Sequence, residues 1–152
     1  TAAMGTRHLL PARSRAAYPI APLKGHSITL PLLESGPKGT ITDAHRAVAF
    51  SVLGNSLRIT GGAHFSSSTA VQPGEVQRLL DVAQRWFPGL VQYDVDAGGQ
   101  GWAGLRPVSP SSAPYIGSTG ISGLFINTGH GGFGWTCAAG SAQRLLAALE
   151  PT

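Results

Sequence analysis

The chain has 152 residues, enough for a domain with a sizeable core, and is 42% hydrophobic but only 12% charged. A free-standing soluble domain has about a quarter of its residues charged, so part of this surface is expected to be covered by further protein. The formal net charge of +4 comes from seven acids set against eleven scattered bases. The densest basic group is Arg7, Arg13 and Arg15, no basic run interleaves with aromatics, and no nucleic-acid partner is expected.

The single cysteine, Cys137, leaves no internal disulfide and no cysteine metal site, and fits a reducing compartment. Set among alanines, it reads as a small core residue. No apolar run reaches membrane-spanning length. Residues 1–17 show no period and no apolar signal-peptide core, and read as an arm or linker.

Residues 23–32 read as a strand, with Ile28, Leu30 and Leu32 on one face. Glu34-Ser-Gly-Pro-Lys-Gly39 is turn-rich. Residues 46–52 alternate, with Val48, Phe50 and Val52 on one face. Gly54-Asn55 is hairpin chemistry, and residues 57–65 return with Leu57, Ile59, Ala63 and Phe65 sharing a face. These three strands suggest an antiparallel meander. Gly61-Gly62 points to a bulge or to close approach by a ligand or another backbone. Val76, Leu79, Leu80, Ala83 and Trp86/Phe87 then mark an amphipathic helix ended by Pro88. Residues 93–103 read as irregular, becoming strand into Trp102, and Arg106-Pro-Val-Ser-Pro110 as the start of a loop.

The most organised stretch comes last. Leu124-Phe-Ile126 reads as a short buried strand, and Gly129, Gly131, Gly132 and Gly134 crowd into six positions. Trp135, Ala138, Ala139, Ala142, Leu145, Leu146 and Leu149 follow at helical spacing, so a helix is expected to begin near Trp135. Strand, glycine loop and helix start together point backbone N–H groups and a positive dipole end at an anionic or electron-rich ligand. The acids form no cluster, the five histidines have no metal-ligand spacing, and no nucleophile elbow is present, so neither metal nor acid–base catalytic residues are expected.

Several blocks, in order, carry a resemblance. They are Leu23-Lys-Gly-His-Ser-Ile-Thr-Leu30, Leu57-Arg-Ile-Thr-Gly-Gly-Ala-His64, Trp86-Phe-Pro88, Trp102-Ala-Gly-Leu-Arg-Pro107, Pro114-Tyr-Ile-Gly117 and Asn127-Thr-Gly-His-Gly with Gly134-Trp-Thr136. Together they resemble FAD-dependent D-amino-acid dehydrogenases, within the D-amino-acid oxidase, glycine oxidase and sarcosine oxidase superfamily. His26 stands where the family usually has Tyr, and His64 where it often has Glu. The amino-terminal Gly-x-Gly-x-x-Gly that holds the ADP half of FAD in those much longer enzymes is not in this sequence.

The resemblance implies the carboxy-terminal part of such an enzyme, as a fragment, a cleavage product or one subunit of a split enzyme. It implies an α+β fold: an antiparallel meander sheet with a packed helix, plus a terminal strand, glycine loop and helix completing a flavin-binding domain. The division is then an arm (1–17), a substrate-binding sheet region (18–117) and a carboxy-terminal strand and helix (118–152). It implies oxidative deamination of a D-amino acid by hydride transfer to FAD, the cofactor being shared with an amino-terminal part or subunit. A quinone or another acceptor would take the electrons. Arg106, His64 and His26 are the expected substrate-binding residues. Gly129, His130, Gly131, Gly132, Phe133, Gly134, Trp135 and Thr136 are the expected flavin contacts. The setting implied is cytoplasmic, or peripheral at the inner face of the membrane. The alternatives are a glycine- or sarcosine-oxidase-like amine oxidase and a non-catalytic binding module that retains the sheet.

Overall fold

The structure is a computed structural model that describes residues 11, 12, 17–93 and 99–149. Most of the expected arm, with Arg7, Arg13 and Arg15, lies outside the described residues, as does part of the stretch expected to be irregular. The fold is α+β, a five-stranded antiparallel sheet and a two-stranded hairpin with two main helices. It divides into two compact units, Lys24–Gly104 and Thr1–Leu23 with Leu105–Thr152.

In the first unit the strands are β1 (Ala21–Pro31), β2 (Ile41–Asp43), β3 (Val48–Leu53), β4 (Ser56–Phe65) and the first part of β5 (Gln100–Val108). Their order across the sheet is β2-β3-β4-β1-β5. The hairpin at Gly54-Asn55 forms as expected, pairing Leu53 with Ser56, Phe50 with Ile59 and Val48 with Gly61. Gly54 takes the positive φ, +60°, that such a tight turn requires. The expected meander is corrected in its order: β1 lies beside β4, and the short β2 fills the place beside β3.

Helix α1 (Pro73–Trp86) starts with Pro at its first position and Glu75 in its first turn, where the carboxylate accepts the N–H of Gln72 at 3.0 Å. It ends where the Phe87 N–H donates to the Ala83 carbonyl, just before Pro88. Val76, Leu79, Leu80 and Ala83 close over Ile28, Leu30, Val48, Phe50, Leu57 and Ile59 to make the core of this unit. The alternation expected of residues 57–65 stops at Gly62, whose φ is +80°. Beyond that kink Ala63 and Phe65 are exposed rather than sharing the core face.

Arg106 lies within β5 and not at the start of a loop. Proline ordinarily breaks a ladder because it lacks an N–H, but among the described strands β5 is the last of its sheet, a place where Pro107 is tolerated.

In the second unit β6 (Tyr115–Ile121) and β7 (Leu124–Thr128) form an antiparallel hairpin, pairing Tyr115 with Thr128 and Gly117 with Ile126. The glycine-broken sequence of β6 conceals it as a strand. A 3-10 turn at Gly131–Phe133 leads into α2 (Ala138–Leu149), which therefore starts three residues later than expected. Turn bonds lead into it, Cys137 N–H to the Phe133 carbonyl at 2.9 Å and Ala138 N–H to the Trp135 carbonyl at 3.2 Å. The face of α2 that turns inward is marked by Ser141, while Leu146 and Leu149 are exposed. Cys137 is exposed and free, which corrects its expected core role. Among the described residues no helix is long and apolar enough to cross a membrane.

Candidate functional site

The glycine loop is entered from β7 through Thr128, whose hydroxyl is buried and has no hydrogen-bond partner. Gly129 (φ +87°) and Gly131 (φ +56°) lie in left-handed backbone, a conformation other residues adopt at a cost. His130 is held from two sides. Its backbone bridges to Val108, and its Nε2 lies 2.7 Å from the Oγ of Ser141, tying the loop to α2. That bond fixes the ring without using its other nitrogen. The Phe133 N–H returns to the His130 carbonyl at 3.0 Å. A Cβ on Gly132 would meet nothing within 4 Å, and Phe133 and Trp135 are exposed, Trp135 at 94%. Gly132, Gly134 and Thr136 are exposed with them. The loop thus offers bare backbone beside two exposed aromatic rings. That combination fits a flat, polar-edged ring group such as the isoalloxazine.

Within Lys24–Gly104, the expected substrate residues His26 and His64 are brought together. Their ring centroids are 6.5 Å apart, and they line a cavity of about 300 Å³ with Gly62, Ala63, Gly74, Glu75 and Arg78. His26 is 2% exposed, and neither of its ring nitrogens has a hydrogen-bond partner. Burial holds its pKa below the ordinary 6.5, with Arg78, Lys24 and His64 adding to that and Glu75 opposing it.

Lys24, also buried, donates to both Glu75 oxygens at 2.8 Å and to the Ala70 carbonyl at 2.6 Å. Burial pushes the Glu75 carboxyl up. The Lys24 ammonium, with the Gln72 N–H, more than offsets this and leaves its pKa lowered. His64 is half-exposed, with Nε2 3.4 Å from Glu75.

The structure gives a face to a second arginine, Arg58, a weaker candidate than Arg106 for the substrate carboxylate from the sequence, which leaves its strand face open. Arg58 alternates with core-facing Leu57 and Ile59, so it projects from the sheet face away from α1. There its Nη2 donates to Ser27 at 3.1 Å, and its guanidinium sits 5.8 Å from the centre of the Trp102 ring. The Leu-Arg-Ile triplet, polar between two apolar residues, is the signal that gives its face. Arg106 is half-buried in β5 of the second unit. Among the described residues no group of three or more His, Cys, Asp or Glu side chains could hold a metal ion.

Comparison with known proteins adds a family. Residues 1–149 match the DAO family, described as FAD-dependent oxidoreductases. The chain is 44% identical over 130 residues to a D-amino acid dehydrogenase of Dechloromonas aromatica (strain RCB), covering 84% of this chain and 30% of that protein. It is 40% identical over 132 residues to D-amino acid dehydrogenase 2 of Ralstonia nicotianae, covering 82% and 31%. Among solved structures, glycine oxidase from Bacillus cereus ATCC 14579 superposes with a TM-score of 0.68 at 23% identity, covering 88% of this chain and 38% of that one. Iminodiacetate oxidase from Chelativorans sp. BNC1 gives 0.67 at 22%, covering 89% and 38%. These two show a shared fold. The chain spans about 30% of the length of the curated relatives.

Proposed function

This chain belongs to the DAO family of FAD-dependent oxidoreductases, and we propose that it forms the substrate-sheet and flavin-contacting part of a D-amino-acid dehydrogenase. The observation that carries the reading is the Gly129–Gly134 loop. Its left-handed glycines, its anchor to α2 through His130 and Ser141, and its exposed Phe133 and Trp135 support a reading in which loop N–H groups meet a ring edge. The relatives named D-amino acid dehydrogenase support the substrate class.

Bound FAD would supply the two-electron acceptor for the Cα–H hydride of the substrate, leaving an imine that water converts to a keto acid and ammonia. The chain's own residues bind and orient. The backbone at Gly131–Gly134 and Thr136, with the positive end of α2 behind it, stabilises negative charge at the edge it faces. Phe133 and Trp135 exclude water beside it. Arg106 holds the substrate carboxylate, its planar fork fixing orientation as well as charge. The remaining partner in this reading is the amino-terminal FAD-binding part, and the electron acceptor is a quinone or its equivalent.

The test is turnover by the flavin-loaded protein with D-amino acids, glycine and sarcosine, assayed with a dye acceptor and with oxygen. Dye reduction that depends on a D-amino acid and yields little hydrogen peroxide is expected. Turnover of glycine or sarcosine alone, with stoichiometric peroxide, would replace this reading with that of an amine oxidase. A flavin-loaded protein with no amine substrate would replace it with a binding module.

A further inference from the structure

We propose that the cavity beside the start of α1 binds a small organic oxyanion, a carboxylate or a phosphate, through Arg78, the Gly74 N–H and a ring N–H of His26. The inference stands on the cavity alone and does not depend on the flavin reading.

His26 supplies the first argument. A buried imidazole with both nitrogens unpaired is costly, because a buried donor or acceptor left unmade forfeits its full hydration. The ring is kept in place nonetheless. A Cβ at Gly62 would lie 2.2 Å from its Cε1, so β4 has surrendered a side chain there and taken a left-handed φ to admit the imidazole. The ring forms part of the lining of the cavity, which is where its missing partner can sit.

The charge of the lining decides the ligand's sign. Glu75 is the cavity's one carboxylate among the residues that line it, and its charge is already committed. Both oxygens lie 2.8 Å from the Lys24 ammonium, and one also takes the Gln72 N–H. Lys24 is committed in turn, its remaining contact going to the Ala70 carbonyl. What remains in the lining is the exposed Arg78, Gly74 in the first helical turn, and His64, half-exposed with its Nε2 3.4 Å from Glu75. Gly74 lies in the first turn of a 14-residue helix, where N–H groups have no intrahelical acceptor and the helix end is positive. This lining repels a cation and attracts an anion.

The space is larger than a single ordered water needs. About 300 Å³ is roughly ten times the ≈ 30 Å³ share of one water and falls at the lower bound of small-molecule sites. An oxyanion carried on a short carbon body fits that space.

The test is an NMR titration of the purified protein, following the His26 ring nitrogens as inorganic phosphate or acetate is added. A saturable shift is expected with at least one probe, in the millimolar range or below. Anion binding should also raise the lowered His26 titration midpoint, set now by burial and by Glu75, Arg78, Lys24 and His64 around it. Tighter binding of phosphate identifies a phosphate group as the natural ligand chemistry, and tighter binding of acetate a carboxylate. Arg78→Gln, on an exposed helix position, should weaken the bound probe about tenfold or more, with partial recovery in Arg78→Lys. His26→Phe keeps the ring volume and, with the titration read from the Gly74 and Glu75 backbone amides, should abolish binding while leaving the amide spectrum dispersed. No saturable shift with either probe would overturn the proposal, and so would a shift that Arg78→Gln leaves unchanged. The ring nitrogens would then be served by water alone.

Discussion

Arg106 and Arg58 put the same guanidinium in two settings, a half-buried position in β5 and a stacked place over Trp102. On the proposed function Arg106→Lys should lower kcat/KM on a D-amino acid by about two orders of magnitude, since the lost fork misplaces the substrate as well as weakening it. The flavin spectrum should be unchanged. Steady-state kinetics with that spectrum as control decide it, and an unchanged KM and kcat would remove Arg106 from the site.

Gly62 permits a cleaner structural prediction. Alanine there would place its Cβ against the His26 ring in a backbone conformation that disfavours any side chain. Gly62→Ala should therefore cost about 2 kcal/mol or more in urea unfolding. In a His26→Ala background the cost should shrink toward the purely conformational part, a coupling that a double-mutant cycle reads. The sequence marked Gly61-Gly62 as a place of close approach, but not what approaches. The visitor is an imidazole from β1, and nothing local in the chain couples residues 26 and 62.

Helix α1 is bonded to the sheet at both ends by acids. At its start Lys24 and Glu75 form a buried pair, with side-chain exposures of 3% and 15%. Glu75→Gln leaves the ammonium buried without its counter-charge and should destabilise by about 3 kcal/mol. Pairing it with Lys24→Met should recover most of the loss, since a buried ion pair is often no better than an apolar replacement.

At the other end Asp43 accepts the indole N–H of Trp86 at 3.0 Å and the backbone and guanidinium of Arg46. The Trp86 bond, then the Arg46 backbone bond, hold its pKa down at about 2 against an ordinary 3.8. A depressed carboxyl stabilises the fold above the unfolded value and loses that contribution as pH falls toward the folded one. Urea midpoints should therefore drop between about pH 4 and 2, and Asp43→Asn should flatten that slope. An equal slope in the variant would assign the acid sensitivity elsewhere. Helix α1 was legible because its apolar period and its proline and acidic start agree. The three-residue β2 was not, being too short to show a period. Strand β5 was misjudged past Trp102 because Pro107 reads as a strand breaker until its strand's place, last among the described strands of its sheet, is known. In α2 the stripe of Ala and Leu gave a helix but not which side is covered: Ser141 turns inward, and Leu146 and Leu149 do not.

For the molecule as a whole, the order of short blocks along the chain said more than composition did. Lys-Gly-His-Ser, Gly-Leu-Arg-Pro and Asn-Thr-Gly-His-Gly each occur by chance, but in sequence they pointed to the family that the match over residues 1–149 establishes. The low charge pointed the same way, toward a surface with more to bury. The structure puts names to it: Phe133, Trp135, Leu146 and Leu149 stand in water in one unit, Phe65 and Trp102 in the other. The consequence is colloidal. With a net charge of only +4, little repulsion keeps copies apart once such side chains meet. The natively folded chain should bind the dye ANS, and its light scattering should climb with concentration and again with added salt, which screens what repulsion exists. Handling it will call for low ionic strength and dilute stocks. A Trp135→Ser, Leu146→Gln double substitution should reduce both the dye signal and the scattering without moving the unfolding midpoint, because neither side chain contributes to a core.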